Sequence, residues 1–319
     1  MQKKFEFNIS LISKLKDYDA KIDKSFYIYS VSTIKTPKNN TLMFINSIAK
    51  DTIEIINSLN ECVILINKES EKITSTSNLL LYVDRPRKEY AKLLKFILDN
   101  ETIESNLTTQ KGGYIIGDNV IIGENTKIEP FAFIDHDVVI GDNCVIKSGV
   151  KINKYCAIGN NCIIRENTVI GGEGFGIERD EDGVNYKIPH LGGVKIGNNV
   201  EVGALSSIVA GTIEPTIIDD YVKIDDCVFI AHNCYMGKGT FVIANAEISG
   251  SVYIGERCWI GPSATIIQKV RVEHDATIGI GAVVTKDVAS NAVIAGNPAD
   301  SIENLRKIRS LYKTFLNTK

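Results

Sequence analysis

The chain has 319 residues, a formal net charge of −3, 44% hydrophobic and 24% charged residues. That length suits two domains or a repeat array, and the balance excludes both a disordered chain and a nucleic-acid binder held by bulk basicity. No apolar run approaches the roughly 18 residues of a membrane span, and the start, MQKKFEFNIS, lacks a signal peptide's apolar stretch, so a cytoplasmic protein with no membrane span is expected.

Residues 1–105 alternate strand-like runs (26–29, 41–45, 62–66 and 79–83) with helical ones, the pattern of a small α/β domain. Its clearest helix follows Asp84-Arg85-Pro86 and carries Tyr90, Leu93, Leu94, Ile97 and Leu98 on one face. No GxGxxG or Walker loop is present. The polar, glycine-ended stretch 101–113 reads as a linker.

From Ile116 to Ile170 an isoleucine recurs every six residues; the series resumes over Ile196, Val202 and Ile208, slips around Glu214-Pro215-Thr216-Ile217, and runs on from Ile218 to Val284. A period of six suits neither an amphipathic helix nor a simple hairpin. It suits short strands joined by regular corners and stacked as a parallel β-helix over 106–299, about eight coils tall. Gly-Asp-Asn and Gly-Asn-Asn after the anchors are corner residues that tolerate a left-handed backbone. Cys144, Cys156, Cys162, Cys234 and Cys258 each fall four places after an anchor, in a small inward slot also occupied by threonine and valine, and read as buried filling rather than a disulfide or metal framework.

The register is lost over 171–193, an excursion rich in glycine and charge that contains Phe175, Tyr186, Lys187 and His190. Long ordered loops are usually functional, and this one is expected to wall the active site. Residues 300–319 suggest a basic amphipathic helix whose first expected role is to cap the open end of the prism.

His136, His190, His232 and His274 are the only histidines, and their spacing supports no metal site. His136, His232 and His274 each follow an anchor by two and should stand at corners. Eighteen and 36 residues beyond His232 lie Gly250 and Gln268, so a histidine stacks over a glycine and then a glutamine. Such a column offers a general base beside a backbone N–H, as acyl transfer requires.

The repeats, with GNPAD at 296–300, resemble the hexapeptide-repeat acyltransferases, which implies a left-handed prism and a homotrimer. The GFG at 174–176, KIPHLGGVKIGNNVEVGA at 187–204 and KIDDCVFIAHN at 223–233 resemble the N-acyltransferase family of lipid A synthesis, which acylates UDP-3-O-acylglucosamine. That resemblance implies His232 as the base, Gly250 as the oxyanion donor and Asp225 as a charge partner. It also makes residues 1–105 a nucleotide-sugar-binding domain, but the family's uracil-contacting aromatic and asparagine are poorly preserved here, with only Asn46 or Ser47 to stand in and no tyrosine within reach.

Where that family reads TTIDRGA this chain has SSIVAGTI, and Lys269 replaces a histidine expected after Gln268. The C-terminal half is instead similar to small-donor acetyltransferases, through SGSVYIGERCWIGPSATI and VIAGNPADSI. On that likeness the expected reaction moves a short acyl group from acyl-CoA to the amine of a dTDP- or UDP-linked amino sugar for surface glycan synthesis, with no permanently bound cofactor. Gln268, Lys269, Lys286, Gly296, Asn297, Pro298 and Arg306 are then the candidate coenzyme contacts. The lipid A reaction with an acyl carrier protein donor, and a non-catalytic β-helix scaffold, are the alternatives.

Overall fold

The computed structural model describes residues 5–14, 25–73, 77–100 and 106–317. The first part of the expected linker, 101–105, and the ends of the chain at 1–4 and 318–319 lie outside the described residues.

The N-terminal region builds a parallel four-stranded sheet. Its strands β3 (Ser30–Val31), β4 (Thr41–Ile45), β5 (Val63–Asn67) and β6 (Leu79–Val83) lie in sequence order, beside a small antiparallel pair, β1 (Phe7–Asn8) and β2 (Tyr27–Ile28). Buried on both faces, β5 reads as a continuous apolar run, as a covered parallel strand must. Helix α1 (Lys50–Ser58) is paired with one face through Ile56. Helix α2 (Pro86–Asp99) opens on a proline, whose fixed φ suits a first helical turn, and buries Tyr90, Ala91, Leu93, Leu94 and Ile97 against the other face. Leu98, expected on that buried face, is half-buried at its margin.

The repeats fold into three parallel sheets of two- to four-residue strands that form the sides of a prism. Registers such as Phe133↔Lys151 and Ile134↔Ile152 give the expected eighteen-residue step, and Ile170 pairs with Ile208 across the excursion. The anchor isoleucines and valines fill one axial core.

Corner chemistry divides between two residues. The left-handed position is the third after the anchor, as at Asn143 (φ 56°) and Asn161 (φ 58°). The glycine directly after the anchor permits close approach instead: a Cβ on Gly141 would lie 2.8 Å from the Gly159 backbone of the next coil. The inward cysteines also do more than fill space. Cys144 Sγ–H points to the Gly159 carbonyl at 3.1 Å and Cys162 Sγ–H to the Gly197 carbonyl at 3.1 Å, as the Thr126 hydroxyl does to Gly141 at 2.7 Å. Thiol and hydroxyl interchange there because both offer a donor to a buried carbonyl.

Residues 108–109 pair antiparallel with 115–116 and start the prism, so the second half of the expected linker is part of the fold. At the other end α3 (Ile302–Asn317) does not cap the core: Ile308, Leu311, Tyr312, Phe315 and Leu316 are all exposed. No described helix is long and apolar enough to cross a membrane.

Candidate active site

The site grows from one property of the corners. The side chain two residues after an anchor commonly accepts the backbone N–H of the equivalent residue in the preceding coil. Asp142 does so from Glu124 at 2.7 Å and Asn160 from Asp142 at 2.8 Å. Two corner histidines follow the rule: His136 Nδ1 accepts from Asp118 N–H at 2.8 Å, and His274 Nδ1 from Glu256 N–H at 3.0 Å. Both rings are committed to the scaffold.

His232 is not. Its equivalent donor is Ala210 N–H, because Ile208 pairs with Ile230, and that N–H is diverted to the Gly172 carbonyl at 2.8 Å, where the excursion leaves the prism. The ring turns instead over Gly250, where a Cβ would lie 2.7 Å from both Cε1 and Nε2. Among the described residues, the Gly250 N–H has no acceptor. An imidazole released from the preceding coil thus faces a backbone N–H with no acceptor among the described residues, the juxtaposition expected from the eighteen-residue step. On its other edge, His232 Nδ1 lies 3.2 Å from the carboxamide nitrogen of Asn233.

The excursion supplies the opposite wall. Its strands Ile177–Arg179 and Asn185–Lys187 form an antiparallel hairpin, and the chain returns through His190, whose ring centroid is 5.3 Å from that of His232 at a 62° tilt. The GFG glycines make room for it: a Cβ on Gly174 would come within 2.5 Å of His190 Nε2, and one on Gly176 within 3.0 Å of Cε1. Both ring nitrogens of His190 are shut from solvent and, among the described residues, meet no hydrogen-bond partner in good geometry. Burial, and then the charge of His232 when protonated, push its pKa down to about 4, so it is neutral at pH 7. Burial, followed by the Arg87 guanidinium, also lowers the pKa of His232, which favours the form with a lone pair to offer.

Arg87 comes from the N-terminal domain, which the sequence did not link to His232. Beyond it, Asn46, Asn67, Asp84, Arg85, Arg87, Lys88 and Glu178 line an open cleft of about 340 Å³. The cleft lies at the carboxyl ends of β4, β5 and β6 and at the start of α2, where parallel sheets place their ligands. Asn46 therefore stands among three cations, Arg85, Arg87 and Lys88, and two carboxylates, Asp84 and Glu178. Glu178 of the hairpin contacts Arg87 and reaches Arg85 at 3.3 Å.

The other candidates are placed elsewhere. Tyr186 belongs to the domain contact: its hydroxyl donates to Asp180 at 3.0 Å and Lys92 Nζ lies 4.9 Å from its ring centre. Lys187 pairs with Glu173 at 2.5 Å, and Phe175 projects into solvent, 89% exposed. Asp225 does not meet His232; its carboxylate accepts Asp226 N–H at 2.8 Å and Ala244 N–H at 3.2 Å, closing its own corner. Gln268 and Lys269 are exposed one coil beyond Gly250, to whose carbonyl Lys269 N–H donates at 3.0 Å. Lys286, Asn297, Pro298 and Arg306 are exposed, and Gly296 half-buried, at the far end of the prism. Those five do not adjoin the histidine pair.

The family model for the bacterial transferase hexapeptide (six repeats) matches residues 119–154 and 137–172. The UDP-3-O-acylglucosamine N-acyltransferase of Desulfotalea psychrophila is 33% identical over 95% of this chain and 91% of its own length. That of Cytophaga hutchinsonii is 37% identical over 77% of this chain and 74% of its own. UDP-3-O-acylglucosamine N-acyltransferase 2 of Legionella pneumophila is 45% identical, but the match spans only 43% of that protein and 47% of this chain. Among solved structures, UDP-N-acetylglucosamine acyltransferases from Campylobacter jejuni (TM-score 0.54, 25% identity, 59% of this chain, 72% of that one) and Bacteroides fragilis (0.55, 26%, 62%, 77%) share the fold, a left-handed β-helix.

These relatives overturn the choice of a CoA-dependent enzyme for glycan amino sugars. That choice rested on the departures at SSIVAGTI and Lys269 and on the likeness of 249–266 and the GNPAD turn to small-donor enzymes, whereas the Desulfotalea relative aligns over 95% of the chain, the N-terminal domain included. The chain belongs to the UDP-3-O-acylglucosamine N-acyltransferase family.

Proposed function

We propose that this chain is a cytoplasmic acyltransferase that moves an acyl group from a thioester on acyl carrier protein to the amine of a UDP-3-O-acylglucosamine. Family membership supports the substrate, and the observation that carries the chemistry is the released His232 ring over the unpaired Gly250 N–H. The amine nitrogen attacks the thioester carbonyl and the C–N bond forms, while the carbonyl π electrons move to oxygen, which the Gly250 N–H stabilises. Nε2 of His232 takes the amine's proton. The C–S bond then breaks and the leaving thiolate recovers that proton, so the ring ends as it began. A base of this kind contributes about 10² to 10⁴ in rate and one oxyanion donor about 10² to 10³.

The cleft at Asn46, Arg85, Arg87 and Lys88 is the proposed seat of the UDP, since clustered cations at strand ends suit a diphosphate. His190, with one donor and one acceptor unmet in a closed wall, is the proposed second contact to the sugar.

The test is turnover of UDP-3-O-acylglucosamine with acyl carrier protein or CoA thioesters, followed by release of free thiol. Carrier-protein-dependent product, lost at least 10²-fold in His232→Ala, is the expected result. Thiol release that requires CoA, or turnover unchanged in His232→Ala, overturns the reading.

A further inference from the structure

Asn233 follows His232 at a left-handed corner, φ 59°. Its carboxamide is oriented from one side, because Oδ1 accepts the Thr212 backbone N–H at 2.8 Å. A backbone N–H can only donate, so the atom it meets is the amide oxygen and the NH2 group is left for other partners. That nitrogen lies 3.0 Å from the Thr212 hydroxyl and 3.2 Å from Nδ1 of His232. An NH2 group also only donates. Nδ1 must therefore be the lone-pair nitrogen, and the hydrogen of the neutral ring sits on Nε2, the nitrogen that faces Gly250. A ring in that form cannot take a proton at Nε2.

We propose that Asn233 is a positioning residue that holds His232 in the Nε2–H tautomer while the site is empty, and that its carboxamide turns over on substrate binding to give the Nδ1–H tautomer that acts as base. The turn brings Oδ1 to Nδ1 and gives up the Thr212 N–H bond. The ring gains a hydrogen from water at Nδ1 and loses one to water at Nε2, so the step balances with no change of charge. The inference rests on the acyl-transfer reading for its purpose, but the tautomer is a property of the free protein. Among the described residues, the other titratable or charged groups facing the ring are His190 on the excursion and Arg87 on the N-terminal domain.

The experiment uses the full chain with ¹⁵N-labelled histidine and long-range ¹H–¹⁵N correlation, the His232 signals being assigned by their loss in His232→Gln. The free protein should show a protonated Nε2 and a bare Nδ1. Asn233→Asp keeps an acceptor for Thr212 N–H, tolerates the left-handed corner and turns a second oxygen to Nδ1. It should show Nδ1–H, and the acid limb of its kcat/KM profile should rise by about one pH unit through the added charge. Asn233→Ala, which lacks the NH2 group, should show both tautomers. A bare Nε2 in the free wild-type protein, or an unchanged tautomer in both variants, overturns the proposal. Failure of the acyl-transfer reading would appear separately, as absent turnover in a wild-type protein with the expected spectrum.

Discussion

At His232 protonation is set by what covers the ring. Burial and the Arg87 charge both lower its pKa, so the acid limb of kcat/KM, where the free base is lost, should fall below pH 6.5. Removing the charge in Arg87→Met should move that limb to higher pH, read from initial rates between pH 5 and 8. At His190, glutamine preserves a donor and an acceptor while phenylalanine preserves only bulk. His190→Gln should keep most of the activity and His190→Phe should lose at least about tenfold, the scale of one good hydrogen bond. His190 also carries a stability signature. Its folded pKa of about 4 lies below the ordinary value of 6.5, so the unfolded chain takes up the proton first. That contribution is fully present above pH 6.5 and is lost as the pH falls towards 4. Thermal unfolding of the wild type should weaken over that window more than that of His190→Gln.

At the scale of elements, the excursion is an arm as well as a wall. Its Ile188 and Leu191, joined by Ile213 from the later register slip, are buried in the core of the N-terminal domain, and its Glu178 reaches Arg85 and Arg87 at the start of α2. The apolar part should dominate the energetics. Ile188→Ala removes a buried side chain and should cost roughly 2–5 kcal/mol in urea unfolding, whereas Glu178→Ala, at a partly exposed ion pair, should cost under about 1 kcal/mol. The contrast explains what was legible in the sequence. The six-residue period exposes every prism strand because the same steric problem is solved at each coil, and the His232–Gly250 pair follows from simple addition. The arm's destination was hidden, since nothing in the order of Tyr186, Ile188 and Leu191 says that they join α2, whose last residue, Asp99, is 87 positions before Tyr186. Asp225 was misleading for the opposite reason: an aspartate after an anchor is the ordinary corner cap, and its motif position did not distinguish the two roles.

At the scale of the molecule, exposed apolar side chains stand on every side of the prism, among them Phe229 at 41% and Phe241 at 46% exposure on two different sheets and Ile121 at 62% on the third. A threefold ring needs two unlike surfaces that meet head to tail, and the sides bearing Phe229 and Phe241 are the pair to test for that role. Light scattering should give the mass of a trimer, and Phe241→Glu should reduce it to that of a single chain. The diversion of Ala210 N–H to Gly172 carries a consequence for how such a protein acquires chemistry. Corner acceptors are interchangeable, with aspartate, asparagine and histidine filling one structural office, so a histidine can enter the array long before it has any work. It becomes a reagent when one insertion draws its partner amide elsewhere. His136 and His274 are each a single backbone bond from that condition, which makes the solenoid a store of latent active sites, opened by lengthening a loop rather than by replacing a residue.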